Sequence, residues 1–114
     1  MPFDISITED AERQLQSFTA RERRMVEDAV WARLSQAPMK PTRAIKQLRP
    51  NPFAQFELRV GALRVLYNVE GNDVVLLLVG RKVGNTLVVE GEEFHGHQDN
   101  PPQQPDSGPA GDAP

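Results

Sequence analysis

The chain has 114 residues, of which 39% are hydrophobic and none is cysteine, and it carries a formal net charge of −3. This length fits one small domain, and the lack of cysteine excludes disulfides and thiolate metal sites. No apolar run reaches the ~20 residues of a membrane helix, and the N-terminus has no secretory pattern, so we expect a cytoplasmic protein without membrane contact.

The N-terminal third predicts one strand and two helices. Apolar and polar residues alternate over Phe3–Ile7, which is typical of a strand. Thr8 is a suitable cap for a first helix, and Thr19 with Glu22 forms a capping box for a second. Trp31 lies one residue past the apolar face of the second helix, and we interpret it as a packing residue. That face carries Met25, Val26, Ala29, Val30, Leu34 and Ala37. Two successive amphipathic helices predict an antiparallel helical hairpin.

The remainder predicts mainly strands. Residues 38–54 contain four prolines, which exclude long regular structure, although Ala44–Leu48 suits a short strand or a turn. Alternating residues then predict two strands joined by a turn near Gly61-Ala62. Val74–Val79 is continuously apolar, as in a central strand buried on both faces, and Thr86–Val89 suits a last short strand. The order β-α-α-β-β-β predicts an α+β fold, in which a helical hairpin packs on a twisted antiparallel sheet.

The C-terminal residues differ in composition from the rest. We expect a folded domain over residues 1–94 and a proline-rich, disordered tail over 95–114, which holds no large apolar residue. His95 and His97 suggest either a metal site or a general acid, but their position beside the tail favours a solvated end. We predict neither a metal nor a cofactor.

Positive charge is concentrated in one segment. Residues 40–64 hold six bases and one acid, which indicates either a local anion site or a solvated basic loop. Arg59 and Arg64 fall on the two arms of the predicted hairpin. Rigidly held guanidinium groups suit phosphate, since they stay charged and donate paired hydrogen bonds.

One stretch of the sequence resembles a known family. The motif Leu58-Arg-Val-Gly-x-x-Arg-Val-Leu-Tyr67, preceded by a strand and two helices and followed by Val79-Gly-Arg-Lys82, resembles the RelE/ParE superfamily of type II toxin–antitoxin toxins. The resemblance covers roughly residues 3–90. It implies a toxin that a partner antitoxin neutralises. RelE-like members cut messenger RNA on the ribosome, whereas ParE-like members inhibit DNA gyrase.

The resemblance also implies roles for several cationic residues. Arg64 matches an arginine that contacts the scissile phosphate in RNA-cleaving members. Lys82 stands where those members carry an arginine, with Arg81 beside it, and Arg59 stands where a basic residue is common. Lys46 lies well outside the motif and is the nearest lysine available to complete this predicted phosphate-binding group.

Acid–base chemistry has fewer candidate residues in the sequence. The paired lysines of the RelE archetype correspond to Gln55 and Glu57, so Glu57 is the candidate base. The region that carries the archetype's tyrosine reads Gly84–Val88 here, while Tyr67 is in phase with the core. We predict a metal-independent endoribonuclease that cleaves messenger RNA on the ribosome. The alternative functions are a gyrase inhibitor and a degenerate antitoxin-binding module. For Arg64 itself, the alternative to phosphate contact is a structural ion pair, for example with Glu57.

Overall fold

The computed structural model describes residues 2–94, which form two α-helices and seven strands. The helices are α1 (Glu9–Gln16) and α2 (Ala20–Ala29), and α2 continues into a π-helical segment, Val30–Leu34. The strands are β1 (Asp4–Ile7), β2 (Ile45–Gln47), β3 (Phe56–Val60), β4 (Leu63–Glu70), β5 (Asp73–Val83), β6 (Thr86–Val89) and β7 (Glu92–Phe94).

Both helices begin at the predicted caps. Oγ1 of Thr8 accepts the Ala11 N–H at 3.1 Å. At the start of α2, Oγ1 of Thr19 accepts the Glu22 N–H at 3.1 Å, while the Glu22 carboxylate accepts the Thr19 N–H at 3.2 Å. These bonds satisfy backbone donors that have no partner within the helix, so the short helices have defined starts.

The second helix differs from the prediction in which side chains it buries. Val26, Val30 and Leu34 are buried as expected. Met25 is 39% exposed, however, and Trp31 is 66% exposed, so the interpretation of Trp31 as a packing residue is wrong. Helical spacing accounts for the difference, because Val26, Val30 and Leu34 recur every four residues, whereas Met25 and Trp31 each lie one residue, or about 100°, away from that line. Val26, Val30 and Leu34 therefore face the core, and Trp31 points outward.

The sheet is mostly antiparallel, and it confirms the predicted α+β class with helices packed on one face. Strands β2 to β7 follow one another as antiparallel neighbours, while β1 pairs in parallel with β5. The β3–β4 turn is Gly61-Ala62, where Gly61 has a φ of 61°. A two-residue hairpin loop of this type requires positive φ at its first position, which glycine adopts without strain.

The structure has more strand than the sequence predicted. The segment Ala44–Leu48, for which strand and turn were both open, contains β2, and β7 follows the strand that we expected to be last. Strand β5 extends to Val83 rather than ending at Val79. Arg81 and Lys82 therefore lie within a strand and not after it.

Two apolar clusters lie on opposite faces of the sheet. The larger one joins the helices to the sheet and includes Leu15, Val30, Leu58, Val65 and Tyr67. The smaller one lies on the helix-free face and includes Leu48, Ala54, Leu66, Leu78 and Leu87. Burial on both faces holds the backbones of β3, β4 and β5, so the polar residues on these strands start from defined backbone positions.

One edge of β5 pairs with β1 and, further along, with β6. Between these two stretches, Thr8 and a residue of α1 provide hydrogen-bond partners for the β5 backbone. The Thr8 N–H donates to the Leu76 carbonyl at 3.0 Å, and Oε1 of the buried Gln14 accepts the Val79 N–H at 2.8 Å. These bonds pair backbone groups that no strand reaches. Within residues 2–94, neither helix is long and apolar enough to cross a membrane.

Candidate functional site

A row of residues crosses three strands on the helix-free face. Arg59 of β3 lies directly opposite Arg64 of β4, and Arg64 lies opposite Gly80 of β5. Directly opposed like charges destabilise a strand pair, because their side chains lie within about 5.5 Å at Cβ. An anion bound between Arg59 and Arg64 would relieve the repulsion between their charges. We call Arg59, Arg64 and Gly80 the arginine row.

Arg64 is held in position by the hairpin turn. Its Nη1 donates to the carbonyls of Gly61 at 2.7 Å and Leu63 at 2.8 Å. Its Nε is buried without a hydrogen-bond partner among the described residues. No carboxylate between residues 2 and 94 forms an ion pair with Arg64, so the alternative of a structural pair with Glu57 is not realised. The guanidinium is thus oriented by neutral groups and keeps its full positive charge.

Glu57 lies two residues before Arg59 on β3 and shares its face of the sheet. It is only 4% exposed, and its Oε1 is 3.8 Å from Nε of Arg59. Lys46 of β2 lies directly opposite it in the neighbouring strand. The sequence placed Lys46 outside the motif, whereas the β2–β3 pairing brings it to the same face as the carboxylate and the arginines.

Lys82 and Arg81 lie on opposite faces of β5. Lys82 is two residues along from Gly80 and therefore shares its face with Arg64, and its backbone N–H donates to the Ala62 carbonyl at 2.7 Å. No carboxylate of the described part of the chain pairs with its side chain. Lys82 therefore adds a third cation beside the arginine row.

Arg81 is engaged on the helix side of the sheet. Its Nη2 is 2.8 Å from Oε2 of Glu22, and its guanidinium lies 5.5 Å from the centre of the Phe18 ring. This bond lowers the pKa of the Glu22 carboxyl below its usual value. The structure thus separates Arg81 from the other predicted phosphate-binding residues and ties α2 to β5 with it.

Gly80 allows the strands to approach closely beside Arg64. A Cβ at this position would lie 2.7 Å from the Val88 carbonyl oxygen, a distance that real Cβ atoms do not reach. The glycine also leaves no side chain next to Arg64 in the row. Packing of β5 against β6 therefore requires glycine at position 80 of the motif, which the sequence did not indicate.

Tyr67, His95 and His97 are the remaining residues that the sequence analysis considered for proton transfer or metal binding. Tyr67, the only tyrosine in the sequence, is buried as predicted, and its hydroxyl donates to the Pro38 carbonyl at 2.6 Å. Burial raises the pKa of its phenol, so Tyr67 remains neutral and structural. His95 and His97 lie outside the described residues. Within residues 2–94, no group of three His, Asp or Glu side chains is placed to hold a metal ion.

Two solved structures with a similar fold come from toxin–antitoxin complexes. A chain of the toxin–antitoxin complex RelBE2 from Mycobacterium tuberculosis is 28% identical, with a TM-score of 0.61, over 72% of this chain and 100% of that chain. This likeness supports the RelE superfamily. A chain of the archaeal RelE–RelB complex from Pyrococcus horikoshii OT3 shares the fold at 19% identity, with a TM-score of 0.60, over 74% of this chain and 98% of that one. No protein-family model matches the sequence, and no curated protein matches it significantly. The predicted family is confirmed.

Proposed function

We propose that this protein is the toxin of a type II toxin–antitoxin system and that it inhibits translation by cleaving messenger RNA on the ribosome. The superfamily and the toxin–antitoxin complexes among its structural neighbours support the toxin role and an antitoxin partner. The observation that carries the RNA proposal is the opposed pair Arg59 and Arg64. Arg64 is oriented by two carbonyls and has no carboxylate partner among residues 2–94.

The cations suit the charge that develops during RNA cleavage. When a 2′-hydroxyl attacks the adjacent phosphorus, negative charge increases on the non-bridging oxygens. Arg59 and Arg64 would each donate to these oxygens, and Lys82 would hold a neighbouring phosphate as a point charge. Because the backbone of three strands positions these groups, they need little reorganisation during the reaction.

We assign proton transfer to Glu57 and Lys46, which lie opposite each other on β3 and β2. Glu57 accepts the proton of the attacking 2′-hydroxyl, which forms the new oxygen–phosphorus bond. The bond to the 5′-oxygen then breaks, and the ammonium of Lys46 gives this oxygen a proton. The products are a 2′,3′-cyclic phosphate and a free 5′-hydroxyl. Later return of the proton from Glu57 to Lys46 restores the starting state.

Arginine substitutions on the two faces of the sheet test the proposal. The assay is cell-free translation followed by mapping of messenger-RNA 5′ ends. We expect Arg64→Ala to reduce cleavage by about 10²–10³-fold, which is typical for loss of one stabilising donor. Arg81→Gln is the matched control, because Arg81 lies on the helix face, and we expect it to cleave within a few-fold of the parent. Equal cleavage by the parent and Arg64→Ala would exclude this mechanism.

Salt dependence tests phosphate binding separately from chemistry. If Arg59, Arg64 and Lys82 each neutralise one phosphate, the logarithm of the affinity for single-stranded RNA falls with a slope of about −2 against log salt. Arg59→Gln should make this slope shallower by about 0.7. A slope that does not change would show that Arg59 contacts no phosphate.

A second candidate is a toxin fold without nuclease activity, which acts on DNA gyrase or only binds its antitoxin. Two observations favour it: Glu57 is only 4% exposed, and the single tyrosine is buried. Gyrase supercoiling in the presence of the purified protein distinguishes these versions. Growth arrest with inhibited supercoiling and without new RNA ends would support the gyrase version. No arrest, together with tight antitoxin binding, would support the binding module.

A further inference from the structure

An apolar groove lies on the helix side of the molecule, away from the arginine row. Its volume is about 270 Å³, and it lies between β1 and the two helices. Its apolar lining includes Ile5, Ile7, Leu15, Val26 and Trp31. This surface has no part in the proposed chemistry.

The outer edge of β1 borders this groove and is open. The N–H groups of Asp4 and Thr8 donate towards β5, to carbonyls at 2.9 and 3.0 Å. Backbone groups alternate along a strand, so those of Ile5 and Ile7 point to the other side. The Phe3 N–H closes the beginning of that side by donating to the Ser35 carbonyl at 2.7 Å. Beyond it, within residues 2–94, β1 pairs with no strand except β5. An open edge of this kind accepts a further strand.

Large apolar side chains remain exposed beside the same edge. Trp31 is 66% exposed and Ile7 is 37% exposed, and both line the groove. Trp31 lies in the π-helical segment and is exposed at a position where the sequence predicted packing. Tryptophan contributes large contact area at low entropic cost and is enriched among residues that dominate binding energy. The groove therefore combines apolar contacts with backbone hydrogen-bonding groups.

The charges at the groove determine the chemistry of the occupant. Its only charged lining residues within the described part of the chain are Glu12 and Glu27, and both are exposed carboxylates. A second copy of this chain would bring the same two acids towards them, which disfavours self-association. A segment with basic residues would pair with them. This preference is opposite to that of the arginine row, which attracts anions.

We propose that the groove and the open edge of β1 bind an extended segment of a partner protein that is apolar at alternate positions and basic between them. The segment adds a strand beside Ile5 and Ile7. Its apolar side chains enter the groove against Trp31, and its basic residues lie near Glu12 and Glu27. This surface is separate from the proposed RNA site, so the two proposals can fail independently.

Peptide titrations on the full chain test the proposal without RNA. The probe is a capped hexapeptide of alternating lysine and valine, and the readout is the emission of Trp31, the only tryptophan in the sequence. We expect the emission to shift to shorter wavelength on binding. A glutamate–valine peptide, and a lysine–valine peptide methylated on alternate backbone nitrogens, should each bind at least tenfold more weakly.

Charge reversal at neighbouring residues supplies the matched control. Glu27→Lys should weaken binding of the lysine–valine peptide by about tenfold, since an attraction becomes a repulsion. Asp28→Lys makes the same change on the next, exposed residue and should leave the affinity unchanged. Equal effects of the two variants, or no emission change with any peptide at millimolar concentration, would overturn the proposal. Concentration-dependent self-association that buries Trp31 would also overturn it, because it would assign the groove to a second copy.

Discussion

Substitution of Gly80 by alanine should destabilise the sheet at the proposed RNA site. The added Cβ would lie 2.7 Å from the carbonyl oxygen of Val88, 3.0 Å from Cγ2 of Val89 and 3.1 Å from Cδ1 of Leu87. The nearest of these atoms belongs to the backbone of β6, so no side-chain rotation can make room. Strands β5 and β6 would have to separate.

The stability loss expected for Gly80→Ala follows from two opposing effects. Overpacking of a filled site destabilises a protein by about 1–3 kcal/mol, and a clash with backbone belongs at the upper end. Alanine in place of glycine within a strand recovers roughly 0.5–1 kcal/mol. The net loss is therefore about 2 kcal/mol. For a domain of this size, 1 kcal/mol shifts the melting temperature by about 4–8 °C, so we expect a decrease of roughly 8–16 °C.

Thermal melts of purified variants followed by circular dichroism provide the assay. Gly84→Ala is the control, since its Cβ would meet no atom within 4 Å but its φ is +60°. It should lose only the roughly 1 kcal/mol of a strained backbone. In a Leu87→Ala background, Gly80→Ala should lose as much stability as in the parent, because the Val88 carbonyl remains in place. A melting temperature for Gly80→Ala within 2 °C of the parent, or no loss in that background, would refute the steric reasoning.

Three further substitutions test contacts elsewhere in the fold. Tyr67→Phe leaves the Pro38 carbonyl without its donor, and urea unfolding should show a loss of about 1–3 kcal/mol; an unchanged midpoint would contradict this. Gln14→Met removes the acceptor of the Val79 N–H, so hydrogen exchange at that amide should accelerate together with a stability loss of about 1–3 kcal/mol. Glu22 has a lowered pKa because of its arginine partner, so its contribution to stability is present above the unfolded pKa and is lost as pH falls through the folded value. The melting temperatures of the parent and Glu22→Gln should therefore differ at neutral pH and converge in acid, and a difference that grows in acid would reverse the assigned sign.

Local signals predicted much of the fold correctly. The capping box at Thr19 and Glu22 needs only residues three apart, and the turn at Gly61-Ala62 needs a glycine between two alternating segments. The burial of Tyr67 followed from its phase with neighbouring apolar residues. Such features depend on a few adjacent residues, so one sequence is sufficient to identify them.

Non-local pairing explains the parts that the sequence could not predict. Strand β2 has three residues among prolines, and only its pairing with β3 places Lys46 opposite Glu57. The apolar run ends at Val79, but pairing with β6 extends β5 further, which puts Arg81 and Lys82 on opposite faces. The π-helical segment Val30–Leu34, in which the exposed Trp31 lies, has no clear sequence signal.

The parallel pairing of β1 with β5 has a consequence for synthesis. Hydrogen-bonded residues at this junction are 69 positions apart in the chain, as between Thr8 and Leu77. Strand β1 therefore has no strand partner among residues 2–94 until β5 has also left the ribosome, and contacts of such separation form late in folding. The arginine row is completed by Gly80 of that same strand. A nascent chain is thus incomplete at its proposed RNA site for as long as β1 remains unpaired, so a toxic activity would arise only after β5 has emerged.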